Sequence, residues 1–134
     1  AESFEMVIHF ENQDVYIWAR NIDTTPYFRQ KTVMEGKTVA DQIYKYTNRT
    51  LYVGERTDET ELVWTIFENI GPEDIGITEI ALGPGVWASQ FGTGEHQIEL
   101  DGGTLRVTIR SVGEGISDEV FTVPNNAKLV SLKP

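Results

Sequence analysis

In the first run of the chain, Phe4, Met6, Ile8 and Phe10 fall on one parity, and Glu5, Val7, His9 and Glu11 fall on the other. Apolar side chains that recur at every second residue share a face only on an extended strand, because a helix scatters them around its axis. The same alternation returns in Val15, Ile17 and Ala19 against Tyr16, Trp18 and Arg20. The polar stretch Glu11-Asn12-Gln13-Asp14 between the two runs predicts a hairpin, and residues 21–26 read as a loop.

Residues 29–50 carry a weaker pattern. Val39, Ile43 and Tyr44 suit one face of a short helix, but Ile43 to Tyr46 is rich in β-formers, and strand is the expectation. Further strands are expected at residues 50–55, 61–69, 75–82, 86–91, 96–100, 104–112, 118–123 and 128–132. Turn clusters separate them: Gly71-Pro72-Glu73-Asp74, Gly83-Pro84-Gly85, Gly92-Thr93-Gly94, Asp101-Gly102-Gly103, Gly113-Glu114-Gly115 and Pro124-Asn125-Asn126.

About ten short strands at a spacing of roughly 8–12 residues predict an all-β fold: one antiparallel β-sandwich or jelly-roll-like domain, with a closed β-barrel as the alternative. Leu62 to Phe67 is apolar on both parities and reads as a central strand covered on both faces. Leu105, Val107 and Ile109 alternate with Arg106, Thr108 and Arg110, so that strand has one wet face. A threefold repeat of the β-trefoil kind is not supported, since only residues 64–71 and 107–113 align even loosely.

The 134 residues suit a single domain spanning 1–134, long enough to bury a core without staples. The chain has no Cys, so disulfides, thiolate zinc sites, iron–sulfur ligation and cysteine nucleophiles are excluded. Against 11 basic residues stand 21 acidic ones, and a formal charge of −10 repels phosphate backbones and anionic headgroups. Neither nucleic acid nor membrane is an expected partner. No apolar run approaches the ~18 residues of a spanning helix, and Ala1-Glu2-Ser3-Phe4 lacks a signal-peptide pattern. A small first residue suits removal of an initiator Met or of a signal, so a secreted and a cytoplasmic location both stay open.

His9 and His96 stand far apart on strand-like segments, and His9 reads as a solvent-facing strand residue. Carboxylates cluster at Asp58, Glu59 and Glu61, at Glu73 and Asp74, and at Glu114, Asp118 and Glu119. Converging loop oxygens suit calcium, and a pair of them would suit glycoside hydrolysis, but acidic loops are ordinary in so acidic a chain. Asn48-Arg49-Thr50 is a glycosylation triplet of a kind common by chance. There is no Gly-x-Ser-x-Gly elbow, phosphate loop or dinucleotide fingerprint. No catalytic, cofactor or metal residue is therefore assigned, and the chain is expected not to be an enzyme. The candidate contact residues are aromatic: Tyr16 and Trp18 on the mixed face of their strand, and Trp87 beside Gly83-Pro84-Gly85. Trp64, on its doubly apolar strand, reads as core.

The stretches Trp64-Thr65-Ile66-Phe67-Glu68-Asn69-Ile70-Gly71, Ile75-Gly76-Ile77-Thr78-Glu79-Ile80-Ala81-Leu82 and Ile98 to Ile109 resemble a pattern of β-domains in structural proteins of tailed bacteriophages. In that pattern a strand ends in Asn near a Gly turn, a second strand returns, and a later Gly turn leads into a Leu-x-Val-Thr-Ile strand. The resemblance covers residues 61–112 and contains no residue that does chemistry. It implies a virion component, a capsid decoration or tail protein, that binds and stabilises other protein subunits, with a homo-trimer as a natural oligomer. The alternative reading is a carbohydrate-binding module or lectin that stacks sugars on Trp18, Trp87 and nearby tyrosines, and a small hydrolase with loop carboxylates ranks third.

Overall fold

The computed structural model describes residues 2–56, 61–125 and 127–132. Among these residues nine strands form: β1 (Phe4–His9), β2 (Gln13–Arg20), β3 (Tyr27–Met34), β4 (Lys37–Lys45), β5 (Thr50–Arg56), β6 (Leu62–Phe67), β7 (Gly94–Leu100), β8 (Gly103–Val112) and β9 (Lys128–Leu132). All nine belong to one sheet, in the order β7-β8-β1-β2-β3-β4-β5-β6-β9. Each neighbouring pair is antiparallel except β6 and β9, which run parallel.

The chain is thus mostly β, as expected. It differs from the expectation in having one sheet where two stacked ones were foreseen, and that sheet is not closed into a barrel, since β7 and β9 end it on opposite sides. The reason lies in two segments expected as strands. Residues 75–82 and 86–91 are largely helical, forming α1 (Ile77–Leu82) and α2 (Pro84–Phe91). Their β-branched residues suggest strand, but the local signals at their ends favour a turn of helix. Asp74 accepts a bond from the Gly71 N–H at 3.1 Å, which starts the 3₁₀ turn Pro72–Ile75. Pro84 stands in the first turn of α2, where its missing N–H has no intrahelical partner to lose. Ile77, Ile80, Ala81 and Ala88 then pack on the sheet, and that burial overrides propensity. In the returning strand of the bacteriophage pattern, therefore, this chain has helix.

The two helices cover one face of the sheet. Phe4, Met6 and Ile8 of β1, Val15, Ile17 and Ala19 of β2, and Val107 and Ile109 of β8 all point into this layer, as their alternation predicts. A Cβ on Gly85 would come within 3.3 Å of the Ile80 carbonyl oxygen and 3.5 Å of Phe4 Cε1, so α2 lies tight against β1. Tyr44 of β4 is fully buried here and donates its hydroxyl to the Ile70 carbonyl at 2.7 Å; burial pushes its phenol above the usual range, so it stays neutral. Among the described residues, no helix is long and apolar enough to cross a membrane.

The opposite face is covered over only part of its width. After β8, residues 113–125 form a strap that lays Ile116 and Phe121 over Ile43 of β4 and Trp64 of β6. The strand expected at 118–123 is instead the 3₁₀ turn Asp118–Phe121, capped by Ser117, whose hydroxyl accepts from the Glu119 N–H at 3.2 Å. Two arginines hold this strap by its carbonyls: Arg20 donates to Ile116 at 2.9 Å and Arg29 to Val120 at 2.8 Å. A strap tied to side chains has no ladder to join, hence no strand.

The weak stretch at 29–50 resolves into the β3–β4 hairpin, closed by Glu35 and Gly36, both at positive φ. Its pattern is faint because one face of β3 carries Arg29 and Lys31 in place of apolar residues. The strand read as central, Leu62 to Phe67, is second from the edge, with Trp64 buried and its neighbours half-buried. Trp64 is core, as read from the sequence, and it rests on Gly54 across the β5–β6 ladder. A Cβ at position 54 would stand 2.9 Å from Trp64 Cε2. Gly54→Ala is therefore expected to destabilise the chain by about 1–3 kcal/mol, the usual range for overpacking, measurable as a lower urea midpoint at constant slope.

Candidate functional site

Where the strap stops, no further segment among the described residues covers the second face of the sheet across β7, β8, β1, β2 and part of β3, although Val7 of β1 on that face is only 2% exposed. At its centre lie Tyr16 and Trp18, two residues apart on β2 and therefore on the same side. Their rings are nearly parallel, 14° apart with centroids 5.9 Å from each other, and both are half-buried. Trp18 also touches the cluster under the strap, so it marks the boundary between the covered and uncovered halves.

Register explains what surrounds them. Tyr16 lies opposite Val7 and Lys31, and Trp18 opposite Glu5 and Arg29. Lys31 Nζ stands 5.4 Å from the Tyr16 centroid and 5.8 Å from that of Trp18, where a cation is attracted by the ring faces. Arg110 of β8 approaches Tyr16 at 5.6 Å and pairs with Glu5 at 3.3 Å. Arg29 approaches Trp18 at 5.4 Å. The result is an aromatic centre ringed by charges of both signs, whose two arginines are in ion pairs.

Beneath this surface Arg29 grips Asp41 with two bonds, Nε to Oδ1 at 3.0 Å and Nη2 to Oδ2 at 2.7 Å. Asp41 is 2% exposed. Burial pushes its carboxyl above the usual value near 3.8, and Arg29 and Lys31 pull it back only in part.

His9 is not the free surface residue expected. Its Nδ1–H donates to Asp14 Oδ1 at 2.9 Å, and its Nε2 is hydrogen-bonded to the Thr108 hydroxyl at 2.8 Å. The order carboxylate, imidazole, hydroxyl is that of a nucleophile relay. Here the three groups stand on mid-sheet strands, β2, β1 and β8, whose backbone N–H groups serve the ladders on either side, so no donor pair converges on the Thr108 oxygen. The arrangement clamps three strands together. His96 bonds the Gly92 carbonyl at 2.9 Å on the helix side of the sheet.

Of the three aromatic candidates, Tyr16 and Trp18 are brought together and Trp87 is not. Trp87 lies on α2, packed against the core on the other side of the sheet. The acidic clusters disperse as well. Asp118 pairs with Arg20 at 2.5 Å, Asp74 caps its turn, and Asp58 and Glu59 lie outside the described residues. Among the described residues no group of three side chains is placed to hold a metal ion. Clefts of about 330 and 370 Å³ flank the strap, the first lined by Tyr27, Lys45 and Phe121 and the second by Arg20, Asn21 and Glu114; neither includes Tyr16 or Trp18.

Sequence reasoning found Tyr16 and Trp18 but missed Lys31, Arg110, Asp14 and Thr108. Asp14 was within reach, since His9 and Asp14 face each other across a predicted hairpin. Thr108 and Arg110 arrive through the pairing of β1 with β8, about a hundred residues away, for which no local signal exists.

No family model matches the chain, and neither a curated protein nor a solved structure does.

Proposed function

We propose that this chain is a non-catalytic structural subunit that docks on other protein subunits through the uncovered half of its sheet. The observation that carries this reading is the Tyr16–Trp18 pair, held open beside Lys31, Arg110 and Arg29 on a face the strap leaves bare. Trp, Tyr and Arg are the residue types that dominate the energy of protein interfaces, and an aromatic centre within a polar rim is the usual anatomy of such a patch. The surface is a sheet face and not a cleft, which suits a broad protein partner better than a small ligand. Lys31 also occupies the ring faces on which a sugar would stack, which counts against the carbohydrate reading. The assembly we propose is a virion, on the bacteriophage-like sequence pattern at residues 61–112, of which the first and last segments are strands here and the middle one is helix; the subunit would stabilise the assembled shell or tail by binding its native lattice.

The test is co-sedimentation of the purified protein with capsid and tail particles from its source. Tyr16→Ala is expected to weaken binding by more than about 30-fold, the effect of losing an interface anchor worth ~2 kcal/mol, when both proteins are compared well below the melting temperature of the variant. Trp87→Phe, on the other side of the sheet, is expected to bind as the parent does. Binding to no particle, or binding indifferent to Tyr16, overturns the reading. So does a glycan array on which the parent binds and Tyr16→Ala does not.

A further inference from the structure

We propose that β9 is a self-pairing edge, whose outer side forms an antiparallel ladder with β9 of a second copy so that Val130 lies opposite its own counterpart. The inference rests on the sheet edge alone and does not require the open face to be the docking surface.

β9 ends the sheet, bonded to β6 on one side and to no other strand among the described residues on its other side. An unpaired strand edge presents alternate N–H and C=O groups as a template for another strand. What decides whether it is used is how it is guarded. Leu129 and Val130 are adjacent, so they point to opposite faces, and they are 51% and 43% exposed. Other large exposed apolar residues lie on helices, as Leu82 and Val86 do, or at strand ends and turns, as Phe10, Met34 and Leu100 do. β9 therefore offers an apolar edge on both faces. The opposite edge, β7, carries Glu95 and Glu99 instead, the charged guard that keeps an edge single.

Of the two sheet edges, charge favours a second copy at β9, which has no carboxylate, over β7, which carries Glu95 and Glu99. The chain has 21 carboxylates and a formal charge of −10, so most approaches of two copies are repulsive. Residues 122–132 contain no carboxylate at all. Two β9 edges thus meet without opposing carboxylates from these residues. Symmetry supplies the register: Val130 is the middle of the five residues Lys128–Leu132, and a twofold axis through it sets Leu129 opposite Ser131 of the other copy and Lys128 opposite Leu132.

Five paired residues bury well under the ~1,200 Å² of a standard interface, so the contact is weak alone and concentration-dependent. In an assembly that already holds several copies together it adds through effective concentration. It is a twofold contact, whereas the sequence reading expected a trimer.

The absence of Cys makes the test direct. Val130→Cys alters an exposed side chain, and mild oxidation is expected to yield a disulfide-linked dimer whose fraction rises with protein concentration. Paired residues on opposed strands bring Cβ atoms to about 4.5–5.5 Å, whereas Ser131→Cys faces position 129 and is expected to cross-link about tenfold less. Mixing Leu129→Cys with Ser131→Cys chains is expected to give the heterodimer. Sedimentation equilibrium of the parent should show a weak reversible dimer that Val130→Lys removes. A parent that stays monomeric at millimolar concentration overturns the proposal. So does cross-linking of Val130→Cys no stronger than that of Glu95→Cys, or preferential cross-linking between those two chains.

Discussion

Arg29→Ala is expected to lower stability at pH 7 by about 3–5 kcal/mol, the cost of leaving a buried charge without its partner. Asp41 is 2% exposed and takes two of its bonds from this one guanidinium. Arg29 also donates to the Val120 carbonyl, so its loss loosens the strap as well. The deficit should depend on pH in a defined direction. Burial already raises the Asp41 carboxyl above its unfolded value near 3.8 even with Arg29 in place, so the folded chain takes up this proton more readily than the unfolded chain does. A group raised in this way favours folding most below its unfolded value, and that contribution is lost as pH rises through the folded value. Without Arg29 the carboxyl is raised further, and protonation relieves it. Urea denaturation should therefore show the Arg29→Ala deficit widest at pH 7 and narrowing toward pH 4. Asp41→Asn, which removes the titrating group, should gain on the parent over the same rise in pH. A deficit that is below about 1 kcal/mol, or flat across this range, would contradict the role assigned to the pair.

Phe121→Ala is expected to cost about 3–5 kcal/mol, the range for emptying a buried phenylalanine site. Phe121 is 1% exposed, tilted against Tyr27 with ring centroids 5.5 Å apart, and covered by the Arg20 guanidinium at 5.0 Å. It fastens the strap over Ile43 and Trp64, so its removal uncovers them. The tryptophan emission should shift to the red, and hydrogen exchange should quicken in residues 113–125 before it does in β1 and β8, whose core lies on the other face of the sheet. Uniform acceleration through β1 and β8 would mean that the two faces open as one unit.

These two residues show why the strap matters for the open face. Arg29 stands beside Trp18 on the neighbouring strand and reaches the strap, so the covered and uncovered halves of the face share one cation. The strap sets how much of the sheet is bare, and the same segment leads into β9, the unguarded edge. Docking through the face would use β1, β2 and β8, and pairing through the edge would use β9 at the other side of the sheet, with the strap lying between them over β4 and β6.

Much of this could be read in advance from period and punctuation. Strict alternation in β1, β2 and β8 placed their inward residues correctly, because side chains on a strand leave it on alternate sides whatever its neighbours are. The Gly and Pro clusters marked the breaks for a similar reason, since turn chemistry is local. Tyr16 and Trp18 were legible as outward aromatic residues on the mixed face of β2. Tertiary structure decided the rest. Ile75 to Leu82 has strand-like composition, yet packs as helix because the face of a single sheet needed covering and no second sheet was there to cover it. The strap lost its strand because Arg20 and Arg29, distant in sequence, took its carbonyls. The partners of His9 and Tyr16 on β8 come from a pairing across about a hundred residues. Local physics settles which way a side chain points along its own strand, and only the order of strands in the sheet settles what it meets.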